Sequence, residues 1–187
     1  MDWQILYLIQ EHMRCGVMDE LMRGVTFLGN RGIVWIVVTA FLLMRRAYRK
    51  AGLIMAAGLI VGTVMGEYAF KPLIARPRPC WLDSSVQLLV PFPGDYSFPS
   101  CHALSSAVCA TVLTAQNRRW GRIAIPLAAA ISFSRVYLFV HFPSDVLAGA
   151  ALGVIVGVGM LALAKALAGC GTFPSDAGTP GGGVGAP

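Results

Sequence analysis

Long uncharged apolar runs constrain this chain more than any other feature. Gly32 to Met44 carries no charge, and neither does Ala51 to Gly66, a run that continues through Tyr68 to Phe70 with Glu67 its one interruption. A helix needs about 20 apolar residues to cross a bilayer. The first run therefore spans only if its helix begins near Met18 or runs past Arg45, and the second if Glu67 lies near a helix end or inside a bundle. Ala103 to Asn117, Trp120 to Leu138 and Val146 to Ala164 read as three further helices, the last rich in the Gly and Ala that permit close packing. At 56% hydrophobic and 13% charged residues, the composition is too apolar for an ordinary soluble domain. In the first fifteen residues Trp3, Leu6, Ile9 and Met13 recur at roughly helical spacing among the polar Asp2, Gln10, Glu11 and Arg14, as in an interfacial amphipathic helix. The expected fold is an all-α integral membrane bundle of about five transmembrane helices plus this N-terminal amphipathic helix.

Residues 71 to 99 break the pattern. Pro72, Pro77, Pro79, Pro91, Pro93 and Pro99 forbid a continuous helix and imply a long structured loop. The chain divides into a membrane-embedded domain, 1–168, and a Gly/Pro-rich tail, 169–187, that cannot bury a core and reads as disordered. Asp2 stands where a signal peptide would be basic and no small-residue cleavage site follows, so internal helices are expected to target the protein.

Two short basic connections, Arg45-Arg46-Ala47-Tyr48-Arg49-Lys50 and Arg118-Arg119-Trp120-Gly121-Arg122, fall on one side of this arrangement, which the positive-inside rule makes cytoplasmic. The loop from Lys71 to Pro99 and the turn around His141 then lie together on the external side. Lys71, Arg76 and Arg78 sit there against the rule, and positive charge kept in a disfavoured place points to a bound anion.

Three clusters meet at that end: Lys71 with Arg78 and Pro79, then Pro99-Ser100-Cys101-His102, then Ser134-Arg135 with His141 and Asp145. Guanidinium and ammonium groups suit a phosphoryl group. Ser100 and Pro143 suit the starts of the helices that follow, and helix N-termini favour anions. His102 and His141 flank those starts, so one imidazole can attack phosphorus while the other protonates the leaving oxygen. Asp145, four residues after His141, can orient its ring. Glu67 is read as the partner of a nearby cation, and Arg76 has no assigned role. The five cysteines form no CxxC pair, so no zinc site is expected. For Cys80 and Cys101 a disulfide and two free thiols both stand open.

These residues carry a resemblance to the type 2 phosphatidic acid phosphatase family, related to bacterial acid phosphatases and vanadium haloperoxidases. Its first motif, Lys, six residues, Arg-Pro, is matched by Lys71, Arg78 and Pro79. Its third, Ser-Arg, five residues, His, three residues, Asp, is matched by Ser134, Arg135, His141 and Asp145. The middle motif, Pro-Ser-Gly-His, appears as Pro99, Ser100, Cys101 and His102, with cysteine in place of glycine. The resemblance implies that His141 forms a phosphohistidine, Asp145 orients it and His102 serves as acid and then base. It further implies that Lys71, Arg78, Arg135, Ser100 and the amide of Cys101 hold the phosphoryl group without metal or cofactor. The implied activity is hydrolysis of a membrane lipid phosphate or pyrophosphate on the outer face of the cytoplasmic membrane, with undecaprenyl pyrophosphate first and phosphatidylglycerophosphate or phosphatidic acid next. The implied partners are the lipid substrate and the bilayer, not nucleic acid. The alternatives are a lipid phosphotransferase, an anion channel or transporter, and a metal-dependent hydrolase built on His102, His141 and Asp145.

Overall fold

The computed structural model describes residues 1–169, and its regular structure among them is entirely helical. The helices are α1 (Asp2–His12), α2 (Gly16–Gly29), α3 (Ile33–Met44), α4 (Arg49–Thr63), α5 (Lys71–Ile74), α6 (Pro79–Leu82), α7 (Cys101–Gln116), α8 (Arg118–Tyr137) and α9 (Pro143–Gly169). Helices α2 and α3 are joined through a short turn in which Arg31 and Gly32 have positive φ, so the first span does begin near Gly16. Helix α4 runs through a π-helical stretch, Val64–Phe70, directly into α5, and the chain leaves the helix at Ala75, just before the dense prolines. The proline-rich segment is otherwise irregular except for α6. The expected tail falls almost wholly outside the described residues.

Three stretches among the described residues are long and apolar enough to cross a membrane unaided: Gly16–Met44, Arg46–Leu82 and Pro143–Gly169. The expectation of about five spans adds α7 and α8. At 16 residues, α7 is shorter than a typical span, and it lies enclosed at the centre, with Ala103, Leu104, Val108, Cys109 and Val112 almost fully buried.

Two glycine stripes explain that enclosure. On α9 a Cβ at Gly149 would stand 2.5 Å from the Ser100 carbonyl oxygen, one at Gly153 would collide with the Leu104 carbonyl, and one at Gly157 would stand 2.9 Å from Thr111. On the α4 side a Cβ at Gly58 would reach Val108, one at Gly62 Leu104 and one at Gly66 the Cys101 sulfur. Four-residue spacing puts each set on one helix face, so both neighbours approach α7 nearly backbone to side chain. Between lipid-covered helices, where burial supplies little hydrophobic gain, such close contact is the main source of association. The outward faces carry Ile36, Val37, Phe41, Ile60, Leu147 and Ile155, all exposed, as lipid contact requires.

The connections sort into two ends. Tyr48, before α4, packs edge-on against Trp120 at the start of α8, with ring centroids 4.9 Å apart, so both basic connections share one end. At the other end α1 lies under the α8–α9 turn. Its Leu6 and Ile9 are buried, and Trp3 packs on Phe142 at 5.1 Å and Phe139 at 6.2 Å. The sequence puts Trp3 on the apolar face of an interfacial helix; in the structure that face packs against the α8–α9 turn. Phe139, at φ 60 and fully buried, is a side chain in the left-handed region, held there by the α1 aromatics.

Replacing Gly149 or Gly153 by Val should force α9 off α7 and destabilise the fold by about 1–3 kcal/mol. Gly159→Ala, where a Cβ meets nothing within 4 Å, should be neutral or stabilising. Unfolding midpoints of the three variants in one detergent check the contrast.

Candidate active site

The site is built where the first turns of α7 and α9, the α5–α6 connection and the end of α8 meet. The Ser100 amide donates to the Asp145 carbonyl at 3.1 Å, and the His141 amide approaches the Arg135 carbonyl at 3.3 Å. The first of these bonds joins the second and third sequence clusters, and the other closes the turn within the third. Arg78 brings in the first. Its Nε donates to the Asp95 carbonyl at 2.7 Å, and one Nη donates both to the Val140 carbonyl at 2.7 Å and to Nε2 of His141 at 2.9 Å.

That last contact fixes the imidazole tautomer. A guanidinium has donors only, so Nε2 of His141 must offer its lone pair and the ring proton must sit on Nδ1. Nδ1 faces Asp145 Oδ2 at 3.7 Å and Ser97 Oγ at 3.5 Å. Asp145 is fully buried and well held: Oδ2 accepts from the Ser97 hydroxyl and from the Phe142 amide at 2.8 Å, while Oδ1 accepts from Arg76 at 2.5 Å. Burial, followed by the charges of Arg78, Arg135 and Lys71, pushes His141 well below its ordinary value. The ring is therefore neutral near pH 7, and its lone pair points at the cations.

Lys71 and Arg135, the other two cations expected in the site, have opposite environments. Lys71 is buried and donates to both oxygens of Glu67 at 2.8 Å and to Asp95. The π-helical stretch sets Glu67 one turn before Lys71, so the expected pairing of Glu67 with a cation is found. Arg135 is also buried. One Nη donates to Thr26 at 2.6 Å, but among the described residues its Nε has no partner, and neither does the buried Ser100 hydroxyl. Ser100 occupies the N-cap position of α7 without capping it. Two polar atoms left unpaired in a buried site cost about 1–3 kcal/mol each unless something bonds them, and both belong to expected phosphate-binding residues.

His102 begins α7. Its Nε2 lies 3.2 Å from Asn30 Oδ1, and its ring fills the space a Cβ at Gly29 would take, with Cδ2 2.7 Å from that position. It is within electrostatic reach of Arg135, His141, Arg78 and Lys71, and no hydrogen bond among the described residues joins it to His141. Cys80 and Cys101 are free thiols, which settles the open disulfide question. The Cys101 sulfur lies over Gly66 and 3.9 Å from the Pro99 carbonyl, so the extra side chain is absorbed by a glycine on the neighbouring helix.

Four residues in the site were not singled out from sequence, or were left without a role. Ser97 and Asp95 lie in the irregular loop, where no periodicity marks them. Asn30 sits in the α2–α3 turn. Arg76, without an assigned role in the sequence, bonds Asp145, the Ser144 hydroxyl at 2.8 Å and Asp2 of α1 at 2.9 Å. Burial would raise the Asp95 carboxyl, but the hydrogen bond from Lys71 and the charge of Arg78 outweigh it and hold Asp95 below the usual carboxylate range. Asp95 is therefore ionised at neutral pH.

A cavity of about 1270 Å³ leads away from His102 and Cys101 between α3 and α4, past Ile36, Ala40, Ala56 and Ile60. Its lining takes in Cys101, His102 and Glu67 but none of Lys71, Arg78, Arg135 or His141, so the cavity adjoins the cluster at the start of α7 and is otherwise largely apolar.

Residues 47–167 match the family model described as PAP2 superfamily, and the chain belongs to that family. Among its relatives is a Sulfolobus acidocaldarius protein named undecaprenyl-diphosphatase, 41% identical over 66% of this chain and 60% of that one. Another is a Mycobacterium tuberculosis decaprenylphosphoryl-5-phosphoribose phosphatase, 34% identical over 72% of this chain and 74% of the relative. The chain thus spans less than two thirds of the archaeal relative's length. The fold also superposes on the crystal structure of Aquifex aeolicus LpxE with a TM-score of 0.76 and 29% identity, covering 86% of this chain and 94% of that one. A transmembrane PAP2-type phosphatidylglycerolphosphate phosphatase from Bacillus subtilis superposes with a TM-score of 0.73 and 27% identity, covering 89% and 85% of the two chains. The protein is a multi-pass membrane member of this family.

Arg76→Ala should leave Asp145 mobile without touching the phosphate donors. Turnover should fall by up to about a hundredfold, as slight misplacement of a reacting group does, with a smaller change in KM. Steady-state kinetics on a lipid phosphate separate the two effects.

Proposed function

We propose that this protein is a lipid phosphatase that transfers the terminal phosphoryl group of a polyprenyl diphosphate to Nε2 of His141 and then to water. The observation that carries the reading is the contact of Arg78 with His141 Nε2. It puts a nucleophilic lone pair and a phosphate-binding cation 2.9 Å apart, with the ring proton directed toward Asp145.

In this mechanism Lys71, Arg78 and Arg135 surround the three equatorial oxygens of the phosphoryl group, and the Ser100 hydroxyl and the Cys101 amide bind it from the start of α7. Charge spreading over those oxygens in the transition state is met by donors already in place. As Nε2 bonds to phosphorus the imidazole becomes cationic, and Asp145 stabilises the Nδ1 proton. His102 protonates the leaving lipid phosphate oxygen. It then takes a proton from the water that cleaves the phosphohistidine, so its proton is restored and inorganic phosphate leaves.

Two observations support a polyprenyl carrier as substrate. Relatives at 41% and 34% identity bear names that specify polyprenyl-linked substrates, and the groove between α3 and α4 is lined by apolar side chains wide of the bundle core. The sharing of one end by both basic connections supports an outward-facing site, since that end is the cytoplasmic one under the positive-inside rule.

The test is phosphate release by purified protein, with EDTA present, from undecaprenyl pyrophosphate, phosphatidylglycerophosphate and phosphatidic acid. The diphosphate should be the best substrate, and His141→Ala should lower turnover by at least about a thousandfold while unfolding at the wild-type temperature. Full turnover in that variant, or loss of turnover to chelation, would overturn the mechanism. A phosphatidic acid preference would overturn the substrate assignment alone.

A further inference from the structure

Asp95 stands in an unexpected place. A site expected to bind a phosphoryl dianion holds a carboxylate between two of the cations meant for it. Asp95 pairs with Lys71 through Oδ2 and with Arg78 through Oδ1, the latter at 2.8 Å. Its main-chain carbonyl also accepts from Arg78 Nε at 2.7 Å. The carboxylate thus takes donors that a phosphate would use, while Arg135 Nε and Ser100 Oγ, on other elements, have no partner among the described residues.

The two ends of this ion-pair cluster differ in freedom. The side chains of Lys71 and Arg78 are 6% and 3% exposed, whereas that of Asp95 is 49% exposed and sits on an irregular loop. Lys71 keeps Glu67 when Asp95 leaves, and Arg78 keeps its bonds to the carbonyls of Val140 and Asp95. When the Asp95 side chain swings to solvent, Lys71 keeps an ion pair with Glu67 whereas Arg78 keeps hydrogen bonds to carbonyls but no countercharge, so Arg78 is the cation left to receive an incoming anion.

We propose that Asp95 is a displaceable internal anion that competes with phosphate for Lys71 and Arg78, holding the two cations in position before substrate binds and assisting release of inorganic phosphate after hydrolysis. The inference rests on the phosphate reading of the site. Three cations with no competing carboxylate would grip the product dianion; Asp95 offers them a replacement that is always at hand. The apparent affinity of phosphate is its intrinsic affinity multiplied by the fraction of time Asp95 is away from the cations.

The experiment is competitive inhibition by inorganic phosphate, measured on the purified full chain in detergent with a polyprenyl diphosphate substrate, for wild type, Asp95→Asn, Asp95→Ala and Asp95→Glu. Removing the charge should tighten phosphate inhibition by roughly tenfold in both neutral variants. It should lower KM in the same direction and reduce kcat where release limits turnover. Asp95→Glu, which keeps the charge, should stay near wild type. Simple damage to the loop would weaken phosphate, so tightening separates competition from a structural role. Unchanged or weakened inhibition in whichever neutral variant folds overturns the proposal. If wild type hydrolyses no lipid phosphate and is not inhibited by phosphate, the phosphate reading of the site fails as a whole and the proposal with it.

Discussion

Everything in this site depends on how closely α9 approaches α7. Gly149 lies so near the Ser100 carbonyl that no side chain fits between them, and one turn later Gly153 does the same at Leu104. That contact brings the first turns of both helices together, and the bond from the Ser100 amide to the Asp145 carbonyl locks them in register. His141 lies two residues before α9 and His102 is the second residue of α7, so a displacement of one helix along the other would move the two imidazoles apart. Packing within the membrane therefore sets the geometry of chemistry at its surface, and small side chains are the means.

The polar end of the bundle is stable because its charges are paired in layers. Asp145 is shared among His141, Arg76, Ser97 and the Phe142 amide; Arg76 in turn is tied to Asp2, and Lys71 to Glu67. A buried carboxylate without such partners would neutralise by taking up a proton. The network also gives α1 a role beyond its apolar face: through Asp2 and Arg76 it reaches the Asp145 carboxylate beside His141.

Much of this was legible in the sequence because periodicity and spacing are local signals. Uncharged runs placed the long helices, the prolines ended α5, and the fixed intervals around Lys71, Ser100 and His141 marked residues that the fold does bring together. What escaped was set by contacts distant in sequence. Nothing local distinguishes Ser97 or Asp95 from other polar loop residues; they matter because the loop folds back onto Arg76 and Arg78, as the bond from the Ser97 amide to the Arg76 carbonyl shows. The glycine at 66 that receives Cys101 lies 35 residues earlier on another helix, so the effect of the cysteine could not be weighed from the motif alone. The first span was readable only conditionally, as a helix that begins near Met18 or runs past Arg45, because its first half, α2, lies beyond a turn at Arg31 and Gly32.

The central claim is that phosphorus is bonded to Nε2 of His141 during turnover. Rapid acid-free quenching of the protein with substrate labelled in its terminal phosphoryl group, followed by peptide mapping, tests it directly. The account predicts a transient label on the peptide containing His141, stable to alkali, lost in acid and absent in His141→Ala. Hydrolysis that proceeds with no label on the protein at any time, or label on another residue, would contradict it.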